Sequence, residues 1–85
     1  LGQAWVNVIG NRGNQINYTN TTGRTIAEYI QFTSASVNLN AIVVDGISVG
    51  LMSGAAAMSN FFLVPPGSVY RVNTAGLVER WGELR

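Results

Sequence analysis

At 85 residues and 9.1 kDa, the chain has room for one domain built around one hydrophobic core. It contains neither cysteine nor histidine, which excludes disulfides and thiolate metal sites and removes the commonest zinc ligand and general base. Its net charge is +1 and its five cations, Arg12, Arg24, Arg71, Arg80 and Arg85, are dispersed, so a phosphate backbone is not an expected partner.

The segment from Gln3 to Ile9 is rich in Trp and Val and reads as a strand, closed by the turn formers Gly10 to Asn14. Ile16 to Thr19 is a short strand, and Asn20 to Gly23 is a turn whose side chains can bond their own backbone. From Thr25 to Phe32, Ile26, Ile30 and Phe32 fall on one parity and Ala27, Tyr29 and Gln31 on the other, the pattern of a strand covered on both faces. Thr33 to Ser36 is a polar break. Leu39 to Val44 and Ile47 to Leu51 flank Asp45-Gly46, the pair preferred in a type I′ hairpin. Ser53 to Ala57 is small and weakly patterned, either a loop or a place of close backbone approach. Phe61 to Val64 is a strand that Pro65 ends, and Pro66-Gly67 suits the centre of a type II turn. Ser68 to Asn73 alternates again, Thr74 to Gly76 turn, and Leu77 to Leu84 close the chain.

These elements predict an all-β fold, a small antiparallel β-sandwich of about seven short strands. A chain this short hides only about 60 to 65% of its unfolded surface when it folds alone. Charged residues make up 11% of it, against about 25% in an average domain, so neutral polar groups and bare apolar surface must cover the outside. Burial between identical subunits answers both needs, and arginine without any lysine fits an interface. No apolar run reaches the 18 to 20 residues of a helical membrane span, and no membrane insertion is expected. The chain starts at Leu1 directly before a strand, as expected for one domain, residues 1–85, of a longer polypeptide.

No catalytic constellation and no cofactor site emerges, and the chain is not expected to be an enzyme. The acids are Glu28, Asp45, Glu79 and Glu83. Asp45 belongs to a turn, and Glu79 and Glu83 would share a strand face about 13 Å apart, too far for a glycosidase pair. Salt bridges to Arg80 or Arg85 are the expected role of those two glutamates. Asn17 and Asn20 each open a glycosylation pattern short enough to arise by chance. Trp5, Trp81, Tyr18, Tyr29 and Tyr70 could stack on sugar rings or serve the core; Trp5 and Trp81 are expected in the core, whereas Tyr18, beside a loop, fits either role equally.

Four blocks in order, Leu1-Gly-Gln-Ala-Trp-Val-Asn-Val8, Tyr18-Thr-Asn-Thr-Thr-Gly-Arg24, Val64-Pro-Pro-Gly-Ser-Val-Tyr-Arg-Val72 and Trp81-Gly-Glu-Leu-Arg85, resemble the C-terminal domain of tailed-bacteriophage and prophage tail fibres. The resemblance spans nearly the whole chain. Thr25 stands where that family often has proline, and Thr33 to Asn60 matches no family pattern. It implies a homotrimeric, β-rich tip domain at the end of a longer fibre, carried on the virion, that binds a bacterial surface polysaccharide or outer-membrane protein. A structural cap that trimerises the fibre without touching a receptor, or a carbohydrate-binding module of an enzyme, would use the same fold. Binding residues are expected in loops on the rigid scaffold. The candidates are Ser34, Ser36, Asn38, Asn40, Ser53, Ser59 and Asn60, with Tyr18, whose hydroxyl and amide groups can bond sugar hydroxyls without desolvating a charge. No metal ligands are expected.

Overall fold

Alternating apolar side chains sort the chain into two sheets whose inner faces share one core. A computed structural model describes residues 2–33, 40–52, 57–74 and 77–85. Its strands are β1 Trp5–Asn7, β2 Tyr18–Thr19, β3 Ile26–Thr33, β4 Asn40–Val44, β5 Ile47–Met52, β6 Ala57–Val64, β7 Val69–Asn73 and β8 Leu77–Leu84, with a 3-10 turn at Ile9–Asn11. The described residues thus hold eight strands, where turn spacing suggested about seven, and no α-helix. One sheet runs β1-β8-β3-β6 and the other β2-β7-β4-β5. Every pairing is antiparallel.

The core joins Ile26, Ile30, Phe32, Phe62, Val64 and Trp81 of the first sheet to Ile42, Val44, Tyr70 and Val72 of the second. Each fully buried side chain of this kind contributes about 1.5–3 kcal/mol. Strand β3 lies between β8 and β6 and buries its even positions completely. Its odd positions Tyr29, Gln31 and Thr33 are half-buried, so the covering expected on both faces is partial on the outer one.

The turns carry the fold in the way their residues dictate. Asp45 and Gly46 have φ of 51° and 79°, the left-handed pair of a type I′ turn. The Asp45 carboxylate accepts the Ser68 hydroxyl at 2.6 Å and the Val69 N–H at 2.9 Å, tying the hairpin to the start of β7. Gly67 has φ of 79° and Ser68 N–H donates to the Pro65 carbonyl at 3.2 Å, closing the type II turn. Asn20, only 2% exposed, donates to the carbonyls of Arg24, Val64 and Pro65 at 2.7, 2.9 and 3.1 Å and accepts the Thr22 N–H and hydroxyl. The Tyr18–Arg24 block and the Val64–Val72 block therefore meet on one buried amide. An amide so engaged is not open to glycosylation in the folded chain.

Several expectations need correction. Strand β1 stops at Asn7, because the Asn7 side chain accepts the Ile9 N–H at 3.1 Å and turns the chain. Strand β6 starts at Ala57, four residues before Phe61, because the eight residues of β3 offer a full-length template. Ser59 and Asn60 accordingly lie in a strand, opposite Gln31 and Ile30, and not in a loop. Asn40 opens β4. Ser34, Ser36, Asn38 and Ser53 lie outside the described residues.

Candidate functional site on the outer face of the first sheet

Register places three rows of side chains on the outer face of the first sheet. Trp5, Leu84, Ala27 and Leu63 form one row, and Asn7, Gly82, Tyr29 and Phe61 the next. Arg80, Gln31 and Ser59 form the third. The face therefore grades from apolar through aromatic to hydrogen-bonding. Trp5 is 52% exposed, Phe61 60% and Leu63 63%, which together leave on the order of 300 Å² of apolar side chain in water. Single patches of that size on a domain surface are commonly functional. Trp81 takes the core place expected of it, and Trp5 does not.

Trp5 lies outside because β1 is an edge strand and Gly82 leaves room beside it. A Cβ built on Gly82 would sit 3.5 Å from Trp5 Cε3, so the indole packs against bare backbone. The ring meets Phe61 edge-on at 5.7 Å between centroids, and Phe61 meets Tyr29 at 6.1 Å.

Beside this aromatic group is a cleft of about 420 Å³, lined in part by Trp5, Asn7, Tyr29, Glu79, Arg80 and Gly82. A β-bulge builds its polar end. Gln31 pairs with Arg80 and Phe32 with Val78, so Glu79 is the extra residue and both Glu79 and Arg80 turn outward. This shift also removes Glu79 from the face of Glu83, contrary to the shared face expected from their even spacing. Thr33 Oγ1 donates to Glu79 Oε1 at 2.6 Å.

Inside the sandwich a second polar group contributes rigidity. Glu28 and Glu83 are cross-strand partners, both completely buried. Arg12 reaches in from the loop after the 3-10 turn and grips Glu83 with two hydrogen bonds of 3.0 and 3.1 Å. Its guanidinium also lies 4.7 Å from the Tyr18 ring centroid. Burial alone would depress the Arg12 pKa, but the hydrogen bonds and charge interactions with Glu83 and Tyr70 together outweigh it and the net shift is upward. Tyr70 donates its hydroxyl to Glu83, and burial together with that bond holds its phenol above the usual range.

Trp81 Nε1 donates to Glu28 Oε1 at 2.9 Å, while Glu28 Oε2 has no hydrogen-bond partner. Burial pushes the Glu28 carboxyl up to about 9, with the neighbouring Glu83 adding to it against the Trp81 bond. A neutral acid is the form an unpartnered buried oxygen tolerates. Glu83 does meet Arg85, at 3.7 Å, as its sequence position suggested, but Arg12 is the principal partner and sequence separation hid it. The pair is sealed from solvent and offers nothing to a substrate.

Of the candidate residues whose side chains are described, Ser59 alone lies on the outer face, exposed beside Gln31. Asn60 has the opposite parity and is half-buried. Tyr18 packs inward against Tyr70 and Trp81 and accepts the Gly13 N–H, so its hydroxyl serves the fold. Phe61 and Arg80 were not among the candidates, and Trp5 and Tyr29 entered only as aromatics able to stack on a sugar, with Trp5 expected in the core. The signal that could have found them is the parity of Tyr29 and Phe61, each of which alternates with core residues and so faces out.

One further surface bears on association. The edge strands β5 and β6 carry no charged residue or proline before Pro65, and Ile47 and Val49 of β5 are exposed. Edges of this kind invite pairing with another chain unless something covers them. Among the described residues no group of three or more acidic side chains could hold a metal ion. Comparison with protein families, curated proteins and solved structures finds no match for this chain.

Proposed function

We propose that this chain is the tip domain of a bacteriophage tail fibre, assembled as a homotrimer, that attaches the particle to a polysaccharide or outer-membrane protein of the bacterial surface. The observation that carries the reading is the outer face of the first sheet, where Trp5, Tyr29 and Phe61 stand together on a scaffold whose interior is closed by buried hydrogen bonds. Exposed aromatic surface on a rigid support is what a binding module needs, because the contact area is ordered before the partner arrives. The sequence blocks support the same reading, since two of them meet on the Asn20 amide and so build the scaffold that carries this face.

The uncharged β5 and β6 edges support association between subunits and also favour a second reading, a fibre cap that trimerises and touches no receptor. The two readings separate on cell binding. The labelled chain is added to a panel of bacterial strains, including one susceptible to a phage that carries it. The attachment reading expects saturable binding to the susceptible strain and competition with phage adsorption; a chain that associates but binds no susceptible cell leaves the cap.

A further inference from the structure

Resting on the attachment reading, we propose that the cleft over Gly82 binds an uncharged pyranose, stacked on Trp5 and Tyr29 and hydrogen-bonded by Asn7, Glu79 and Arg80. Four features of the cleft select this ligand class. First, its charges balance: Arg80 and Glu79 enter together from one bulge, so neither a phosphate chain nor a strongly acidic ligand is favoured. Second, the polar groups are partly free. Arg80 makes no ion pair or side-chain hydrogen bond among the described residues, and Thr33 occupies only one oxygen of Glu79. Ile9 N–H occupies the carbonyl of Asn7 and leaves its amide protons to donate.

Third, donors and an acceptor therefore face the same small space, and hydroxyl groups, which do both, can satisfy them together. An apolar ligand would bury Arg80 and Glu79 without replacing their water. Fourth, Trp5 and Tyr29 supply aromatic surface against which the C–H face of a pyranose can lie, while its ring hydroxyls reach the polar end. A volume of about 420 Å³ is at the lower end for small-ligand sites and suits one or two sugar rings. The floor is backbone, because Gly82 has no side chain to fill it. None of the residues expected from sequence to bind the receptor lines this cleft.

The test titrates the intact chain with the methyl glycosides of glucose, galactose, mannose, rhamnose and N-acetylglucosamine, and follows the two indole N–H signals by nuclear magnetic resonance. Trp5 is exposed, whereas Trp81, although it also borders the cleft, is buried and has its indole N–H bonded to Glu28, so the two N–H signals report on the surface and on the core. At least one glycoside is expected to shift the Trp5 signal saturably, with a dissociation constant of order 1 mM, and to leave Trp81 unmoved. Trp5→Ala, Arg80→Ala and Gly82→Ala should each weaken binding about tenfold. The alanine methyl at position 82 meets Trp5 at ordinary contact distance, so that variant fills the floor without disturbing the fold.

No shift with any of the five at concentrations well above millimolar overturns the cleft, as does a loss of subunit association in Trp5→Ala, which would make this face a contact between copies. Cell binding that survives both Trp5→Ala and Arg80→Ala also overturns the cleft but leaves the attachment reading standing. A saturable Trp5 shift in a chain that binds no susceptible cell upholds the cleft and refutes attachment.

Discussion

Replacing Glu28 with glutamine should make the domain more stable at neutral and alkaline pH and flatten its pH dependence. The carboxyl is completely buried, faces Glu83 across the ladder and titrates at about 9 in the folded chain. An unfolded glutamate titrates near 4.3. Between those values the folded chain holds one proton more than the unfolded chain, so stability falls as pH rises through the window, by at most about 1.4 kcal/mol per unit. Relaxation around the site reduces this, and a loss of about 2 kcal/mol between pH 5.5 and 7.5 is the working expectation. Asp45 does not confuse the sign. Its carboxyl is held low by Ser68 and the Val69 N–H, so its contribution is present above the ordinary aspartate range and is lost only as pH falls through the lowered value. Glutamine keeps an acceptor for Trp81 and supplies donors toward Glu83 without any titration. Urea unfolding of both proteins at pH 5.5, 6.5 and 7.5, at one fixed chain concentration, gives the difference directly. If the two stabilities stay parallel across that range, Glu28 is ionised in the folded chain and the reasoning fails.

Three other perturbations probe the scaffold. Asn20→Ala removes a 2% exposed amide that serves three carbonyls, and should cost about 2–4 kcal/mol in chemical denaturation, with the turns at Gly23 and Gly67 losing amide-exchange protection first. Arg12→Lys keeps the charge but cannot grip Glu83 with a planar fork, and should cost about 1–2 kcal/mol, whereas Arg12→Met leaves the buried carboxylate short of its partner and should cost about 3–5 kcal/mol. Val49→Lys places a charge on the β5 edge; it should reduce association between subunits, read by sedimentation, while leaving the circular dichroism spectrum of the strands unchanged.

The turns were the most legible part of this sequence, because their chemistry is local. Asp45-Gly46 and Pro66-Gly67 specify their own dihedral angles, and β7 follows from the alternation that starts after the second turn. Strand ends were harder, since they depend on partners far along the chain. The backward extension of β6 through Ser59 and Asn60 follows from the length of β3, which no local propensity encodes. The bulge at Glu79 was invisible for the same reason, and with it the parity of the last strand: Glu79 and Glu83 look alike in sequence, yet one faces water and the other is completely buried. Side-chain pairing over long separations, as between Arg12 and Glu83, is set by sheet order alone. The aromatic face was half legible. The parity of Tyr29 and Phe61 carried the signal that they face outward, although the first of these strands was expected to be covered on both faces, whereas the exposure of Trp5 required knowing that β1 is an edge and that Gly82 lies beneath it.

The scarcity of charge in the sequence and the uncharged β5 and β6 edges both favour association between copies of the chain, which the proposed fibre-tip reading takes to be threefold. Light scattering of the isolated chain across a dilution series tests this most directly. The account predicts a stable mass three times that of the 9.1 kDa chain; a species that remains at 9.1 kDa at every concentration would contradict both the association of its edges and the fibre-tip reading built on it.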